Sequence, residues 1–170
     1  MRKAALVLLM IIYGFIGSAQ ENRVVYDSSA NQSILIGECS WAGFEQDGFS
    51  EWFDAGYDAY QPNDSLMARL RELLDDQPLE ITVYQATWCP DSRRELPRLK
   101  KITDGLKSDV YTEIYSLNRA KRLEKNALPE DDVEFVPTMV FRLDGVEVGR
   151  IVESPEYSLE ADIVRFLEKQ

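Results

Sequence analysis

The chain has 170 residues, 30 of them acidic against 19 basic, no histidine, and a formal charge of −11 at pH 7. Without histidine it can build neither a Ser-His-Asp triad nor a His-ligated metal site, and its acidity argues against nucleic acid or anionic membranes as partners. Two cysteines and no glycine-rich phosphate loop leave cysteine chemistry as the chemistry to look for, with no cofactor implied.

At the N-terminus, Arg2-Lys3 precede the apolar run 4–16 and then Gly17-Ser18-Ala19. A basic start, a short apolar region and small residues predict a secretory signal peptide over 1–19, and hence an exported, periplasmic or extracellular protein. The run is shorter than the roughly 20 residues a spanning helix needs, so no membrane association is expected after cleavage; an uncleaved anchor is the alternative. Cys39 is too far downstream for lipid attachment. The mature chain can bury one core, without internal repeats.

Residues 20–62 read as an N-terminal extension packed on a main domain over 63–170. Ser33 to Cys39 has the pattern of a strand, and Phe49, Trp52, Phe53, Gly56, Tyr57 and Tyr60 recur at helical spacing. Two readings of these aromatics are open: a cap that touches a peptide substrate together with Trp41 and Phe44, or the packing of the extension onto the sheet.

Asn63 or Asp64 can cap the next helix, which Leu66, Met67, Leu70, Leu73 and Leu74 would dock. Ile81–Gln85 reads as a buried strand, followed after a very short turn by Trp88-Cys89-Pro90. Pro90 suits a first helical turn, and Leu96, Leu99, Thr103 and Leu106 form the apolar stripe of the helix it opens. Arg93, Arg94, Lys100, Lys101 and Lys107 lie on its other faces.

Cys89 is thereby placed at a strand-to-helix junction, where the unpaired N–H groups of the helix terminus favour a thiolate. Arg93 and Arg94 would add to this, or form a plain solvated face, while Asp91 opposes it. Ser92 stands where a second cysteine would complete a Cys-X-X-Cys pair. It reads either as a hydrogen-bond donor to the thiolate or as a solvent-compatible filler.

The acidic run Glu130-Asp131-Asp132 is expected to be solvated. Beyond it come Val136-Pro137-Thr138, a strand from Met139 to Leu143, the hairpin signal Asp144-Gly145, a strand from Val146 to Val152, and a last helix from about Ser158 to Lys169.

Trp88-Cys89, the helix-interior Pro97 and the Val136-Pro137-Thr138 segment together resemble the thioredoxin superfamily, over residues 63–170. The resemblance implies an α/β fold: a three-layer α/β/α arrangement with a central mixed sheet, and Pro97 kinking the active-site helix. It also implies a cis-proline loop at Pro137 beside Cys89, with Trp88, Pro90, Val136, Pro137 and Thr138 binding substrate. By the same resemblance Val83, Ser116 and Glu153 stand where thioredoxin keeps a buried aspartate, a lysine and a groove-lining glycine.

The implied activity is monothiol thiol-disulfide exchange, with Cys89 as nucleophile and Ser92 beside it, on thiol- or disulfide-containing protein substrates. An oxidoreductase or isomerase of this type would need an external thiol, or Cys39, to release its product. With no local cysteine pair, isomerisation or thiol capture suits the site better than net reduction.

Three roles are open to Cys39: a buried inert thiol, a disulfide with Cys89 closing a loop of about 50 residues worth ~4 kcal/mol, and a distant resolving cysteine. A binding or chaperone-like module without catalysis is the competing function. A thiol peroxidase lacks its threonine-rich motif here.

Overall fold

The computed structural model describes residues 21–75, 77–106, 109–123, 131 and 133–169. The expected signal peptide, Lys107, Glu130 and Asp132 lie outside the described residues.

The chain is a mixed α/β protein. Strands β1 (Val24–Asp27) and β2 (Gln32–Leu35) form an antiparallel hairpin. Strand β3 (Gly37–Cys39) then leads through a short 3-10 turn, Trp41–Glu45, into helices α1 (Ser50–Ala59) and α2 (Asp64–Leu73). There follow β4 (Leu79–Gln85), α3 (Pro90–Gly105), β5 (Val110–Ser116), β6 (Thr138–Leu143), β7 (Val146–Val152) and α4 (Leu159–Leu167).

Five strands form one sheet in the order β3-β5-β4-β6-β7; the β4–β5 pair is parallel and the others are antiparallel. The predicted strand over 33–39 is in fact two, broken at Ile36. Gly37 takes a φ of 84°, a left-handed conformation that glycine adopts without steric penalty, and it turns the chain from the hairpin into the main sheet. The segment ahead of Asn63 thus supplies an edge strand as well as a packing helix. Strand β1 carried no sequence signal, because its residues alternate between exposed and half-buried positions rather than apolar and polar ones.

Alternation along β4 sends Leu79, Ile81 and Val83 into the core with Ile114, Met139 and Phe141. All four helices pack on this face. Gly56 of α1 lies against Pro97 of α3, Arg71 of α2 donates to the Gly105 carbonyl of α3 at 2.8 Å, and Arg69 of α2 pairs with Glu168 beyond α4 at 3.0 Å.

The other face presents Glu80, Thr82, Tyr84, Tyr111, Glu113, Tyr115 and Arg142 along an open groove. Among the described residues no helix covers it, so the expected three-layer α/β/α arrangement is not seen in them. Asp131 is not simply solvated: its carboxylate pairs with Arg142 at 2.6 Å at the edge of this groove.

Asn63 caps α2 as expected, its side chain accepting from the Ser65 and Leu66 N–H groups. In α3 the apolar stripe passes through Ile102 rather than Thr103, whose hydroxyl donates back to the Lys100 carbonyl at 2.9 Å. Among the described residues no helix is long and apolar enough to cross a membrane.

The aromatics of the extension are packing residues. Phe44 and Phe53 stack at 5.1 Å between ring centres, Trp41 and Trp52 lie 6.1 Å from Phe44, and Phe44 is fully buried. They close the helical layer around α3.

Candidate functional site

Strand β4 ends at Gln85, and a turn in which Cys89 N–H donates to the Ala86 carbonyl at 2.9 Å delivers Cys89 to the N-cap of α3. Pro90 occupies the first helical position, where its missing N–H costs no bond. Two buried side chains hold this turn. Ser92 Oγ accepts from Ala86 N–H at 3.2 Å, and Thr87 Oγ1 accepts from Leu35 N–H at 3.1 Å. Arg93 Nε adds a bond to the Thr87 carbonyl at 2.6 Å while its guanidinium lies over Trp52.

Ser92 is fully buried, so it is not a solvent-compatible filler; its oxygen satisfies a backbone donor that would otherwise be orphaned. Arg93 and Arg94 are not a free solvated face either. Arg94 pairs with Asp91 at 2.7 Å and with buried Glu95 at 2.5 Å, and in doing so offsets the negative charge nearest Cys89.

The Val136–Pro137 peptide is cis, and it lies beside Cys89. The Cys89 thiol donates to the Val136 carbonyl at 3.2 Å, a bond that only the protonated sulfur can make. The Pro137 carbonyl accepts from Glu153 N–H at 2.7 Å, and Glu153 has a φ of 61°. A side chain at a left-handed position is uncommon, and this is the place assigned above to a glycine. Thr138 is buried, its hydroxyl donating to the Phe135 carbonyl at 2.8 Å.

Cys89 is 7% exposed and packs with Tyr84, Ala86, Leu117 and Val136, with Trp88, Tyr115, Leu123 and Val133 around them. Trp88 is fixed by Nε1 donating to the Leu117 carbonyl at 3.0 Å. Of the expected substrate-binding residues, Val136, Pro137 and Thr138 are buried, while Pro90 and half-buried Trp88 reach the surface.

Cys39 is elsewhere. In the ladder it stands opposite Ile114, which stands opposite Val83, so two strand spacings of roughly 4.8 Å separate it from β4. Cys89, by contrast, turns toward the β6 side of β4. The two sulfurs belong to different apolar clusters and both are free thiols. Burial pushes the Cys39 thiol up to about 12. The structure therefore does not bring Cys39 to the site.

Val83 and Ser116 are both buried. Ser116 Oγ donates to the Leu35 carbonyl at 2.9 Å and accepts from Gln85 Nε2 at 2.8 Å. Sequence reasoning missed Thr87, Leu117, Phe135 and Arg119. No local pattern marks Thr87, Leu117 and Arg119, because each acts on a partner far away in the chain, whereas Phe135 accepts from Thr138 only three residues on. Among the described residues no three of His, Cys, Asp or Glu converge as a metal site.

No protein-family model and no curated protein sequence matches the chain. Solved structures similar to it include the following two. One is a protein of unknown function from Pseudomonas aeruginosa, with TM-score 0.59, 19% identity, and coverage of 79% of this chain and 93% of that one. The other is an HIV epitope scaffold, with TM-score 0.58, 18% identity, and coverage of 79% and 94%. At such identities the likeness is one of mixed α/β fold alone.

Proposed function

We propose that the chain is an exported, thioredoxin-like thiol-disulfide exchange protein that works through the single nucleophile Cys89. The observation that carries this reading is the placement of the Cys89 sulfur at the N-terminus of α3, 3.2 Å from the carbonyl that precedes cis Pro137. The proline segment supplies backbone beside the sulfur. Pro97 inside α3 and the β3-β5-β4-β6-β7 order agree with a thioredoxin-like core.

In the proposed step the Cys89 thiol loses its proton to solvent and its sulfur attacks a partner disulfide. A new Cys89–partner S–S bond forms as the partner's own bond breaks, and one partner sulfur leaves as thiolate. Ser92 has no sulfur with which to displace the mixed disulfide, and Cys39 is remote. Release therefore falls to a thiol from solution or from the partner, which suits isomerisation or capture.

Insulin reduction with dithiothreitol, comparing the wild type with Cys89→Ser, tests the reading; equal rates would sink it. A second reading, a non-catalytic binding module, draws on the near-complete burial of Cys89 and the donation of its proton to Val136. It requires Cys89→Ser to retain partner binding undiminished.

A further inference from the structure

We infer that the turn Asn118–Arg122 sets the specificity of the Cys89 site and selects partners that carry a carboxylate or another anion beside the reacting sulfur. The inference rests on the exchange reading above.

The turn follows β5 directly and is pinned by its own backbone. Asn118 N–H donates to the Arg122 carbonyl at 3.0 Å, and Lys121 N–H donates to the Asn118 carbonyl at 2.8 Å. The Ala120 and Arg122 N–H groups both donate to Asn118 Oδ1. Lys121 sits at a φ of 56°, a conformation held by this closed set of bonds.

From this fixed base the turn lays one cation over Trp88, which packs with Cys89, and one over Phe135, the neighbour of Val136. The Arg119 guanidinium carbon is 5.0 Å from the Trp88 ring centre, and Lys121 Nζ is 4.8 Å from that of Phe135. Trp88 immediately precedes Cys89. Phe135 immediately precedes Val136, whose carbonyl accepts from the Cys89 thiol. Phe135 is 45% exposed and Trp88 half-buried against 7% for Cys89, so the cations over these rings stand nearer to solvent than the sulfur does.

The charge of this rim runs against that of the chain. Three of the five turn residues are basic and none is acidic, in a sequence with 30 acidic residues against 19 basic. Arg119 is offset by Asp27 at 2.7 Å, but Lys121 and Arg122 form no ion pair among the described residues. Of the acids near the site, Asp91 is taken by Arg94. Glu134 and Glu153 are exposed, and Glu153 stands at the end of β7, on the far side of Pro137. A partner with an anion on the Trp88–Phe135 side is therefore attracted, and one with a cation there is repelled.

The test compares the rates at which Cys89 forms a mixed disulfide with 5,5′-dithiobis(2-nitrobenzoate), a dianion, and with cystamine, a dication, located by mass spectrometry. In each case the Cys89–reagent bond forms as the reagent disulfide breaks and releases one thiolate. Lys121→Glu is expected to lower the anion-to-cation rate ratio by about fivefold at low salt, an effect that high salt collapses. Lys169→Glu, the same charge change beyond the far end of α4, should leave the ratio within about twofold. Equal shifts in the two variants, or none in either, overturn the specificity role while leaving exchange at Cys89 intact. Failure of both reagents to modify Cys89 overturns the exchange reading and this inference with it.

Discussion

The Leu35 amide donates to Thr87 Oγ1 at 3.1 Å, joining strand β2 to the turn that carries Cys89 across 52 positions of sequence. Both residues are fully buried, and the Leu35 carbonyl in turn accepts from Ser116 on β5. The N-terminal hairpin is thus fastened to the site by its backbone, and the position of Cys89 depends on a segment that contributes no chemistry.

Thr87→Val keeps the side-chain shape but removes the acceptor, leaving the Leu35 N–H buried and unpaired. The expected cost is about 1–3 kcal/mol of stability, read as a lower urea midpoint at unchanged m. Alkylation of Cys89 should quicken as the turn loosens, whereas Thr87→Ser should keep most of the stability. A Thr87→Val protein as stable as the wild type would show that the bond contributes nothing.

Ser92→Ala orphans the Ala86 N–H and should also destabilise by about 1–3 kcal/mol. Ser92→Cys is expected to create a redox pair, since residues three apart in a first helical turn bring their Cα atoms within the roughly 4.4–6.8 Å that a disulfide spans. Intact mass after mild oxidation should fall by two hydrogens, and insulin reduction should rise above that of the wild type. An oxidised Ser92→Cys protein that retains two alkylatable thiols at these positions would contradict this geometry.

Gly56→Ala tests the seat of α1 on α3. A Cβ there would stand 2.7 Å from Pro97 Cγ, a ring atom of a helix-interior proline that cannot swing away. Overpacking of this kind costs about 1–3 kcal/mol, and thermal melting should report it. An unchanged melting temperature would mean that α1 and α3 can separate freely.

The Cys39 thiol is held protonated up to about 12, against an ordinary 9.0, chiefly by burial. Burial likewise raises Tyr84 to about 12, although its bond with Asp131 N–H opposes this. In each case the unfolded chain loses the proton first, so the stabilisation is complete below the ordinary value and is lost as pH rises through the folded one. Thermal stability should fall between pH 9 and pH 12, less steeply in Cys39→Ala. A melting temperature independent of pH across that window would refute the assignment.

Much of the site was legible because its signals are local. Trp88-Cys89-Pro90 after an apolar strand, Pro97 eight residues beyond Cys89, and Val136-Pro137 ahead of a hairpin are short-range patterns. The structure realises them as a strand end followed by a helix start, a proline inside α3, and a cis peptide. Asn63 as a cap and Asp144-Gly145 as a turn belong to the same class, because a cap or a turn is decided by bonds within a few residues.

By itself, then, the sequence determined the order of the elements after Asn63 except for β5, which it did not show, the place of Cys89 at the head of a helix, and the absence of a second cysteine from that helix. Only the tertiary structure decided what surrounds the sulfur. That Cys39 lies two strands away, that Ser92 is a buried acceptor, and that Arg119 and Lys121 cover Trp88 and Phe135 all follow from which strands pair. Strand pairing joins residues tens of positions apart, and no spacing along the chain encodes it. The break at Ile36, which turns one expected strand into a hairpin arm and a sheet edge, has the same origin: the left-handed Gly37 redirected the chain, and the sheet supplied the partner that made the new direction stable.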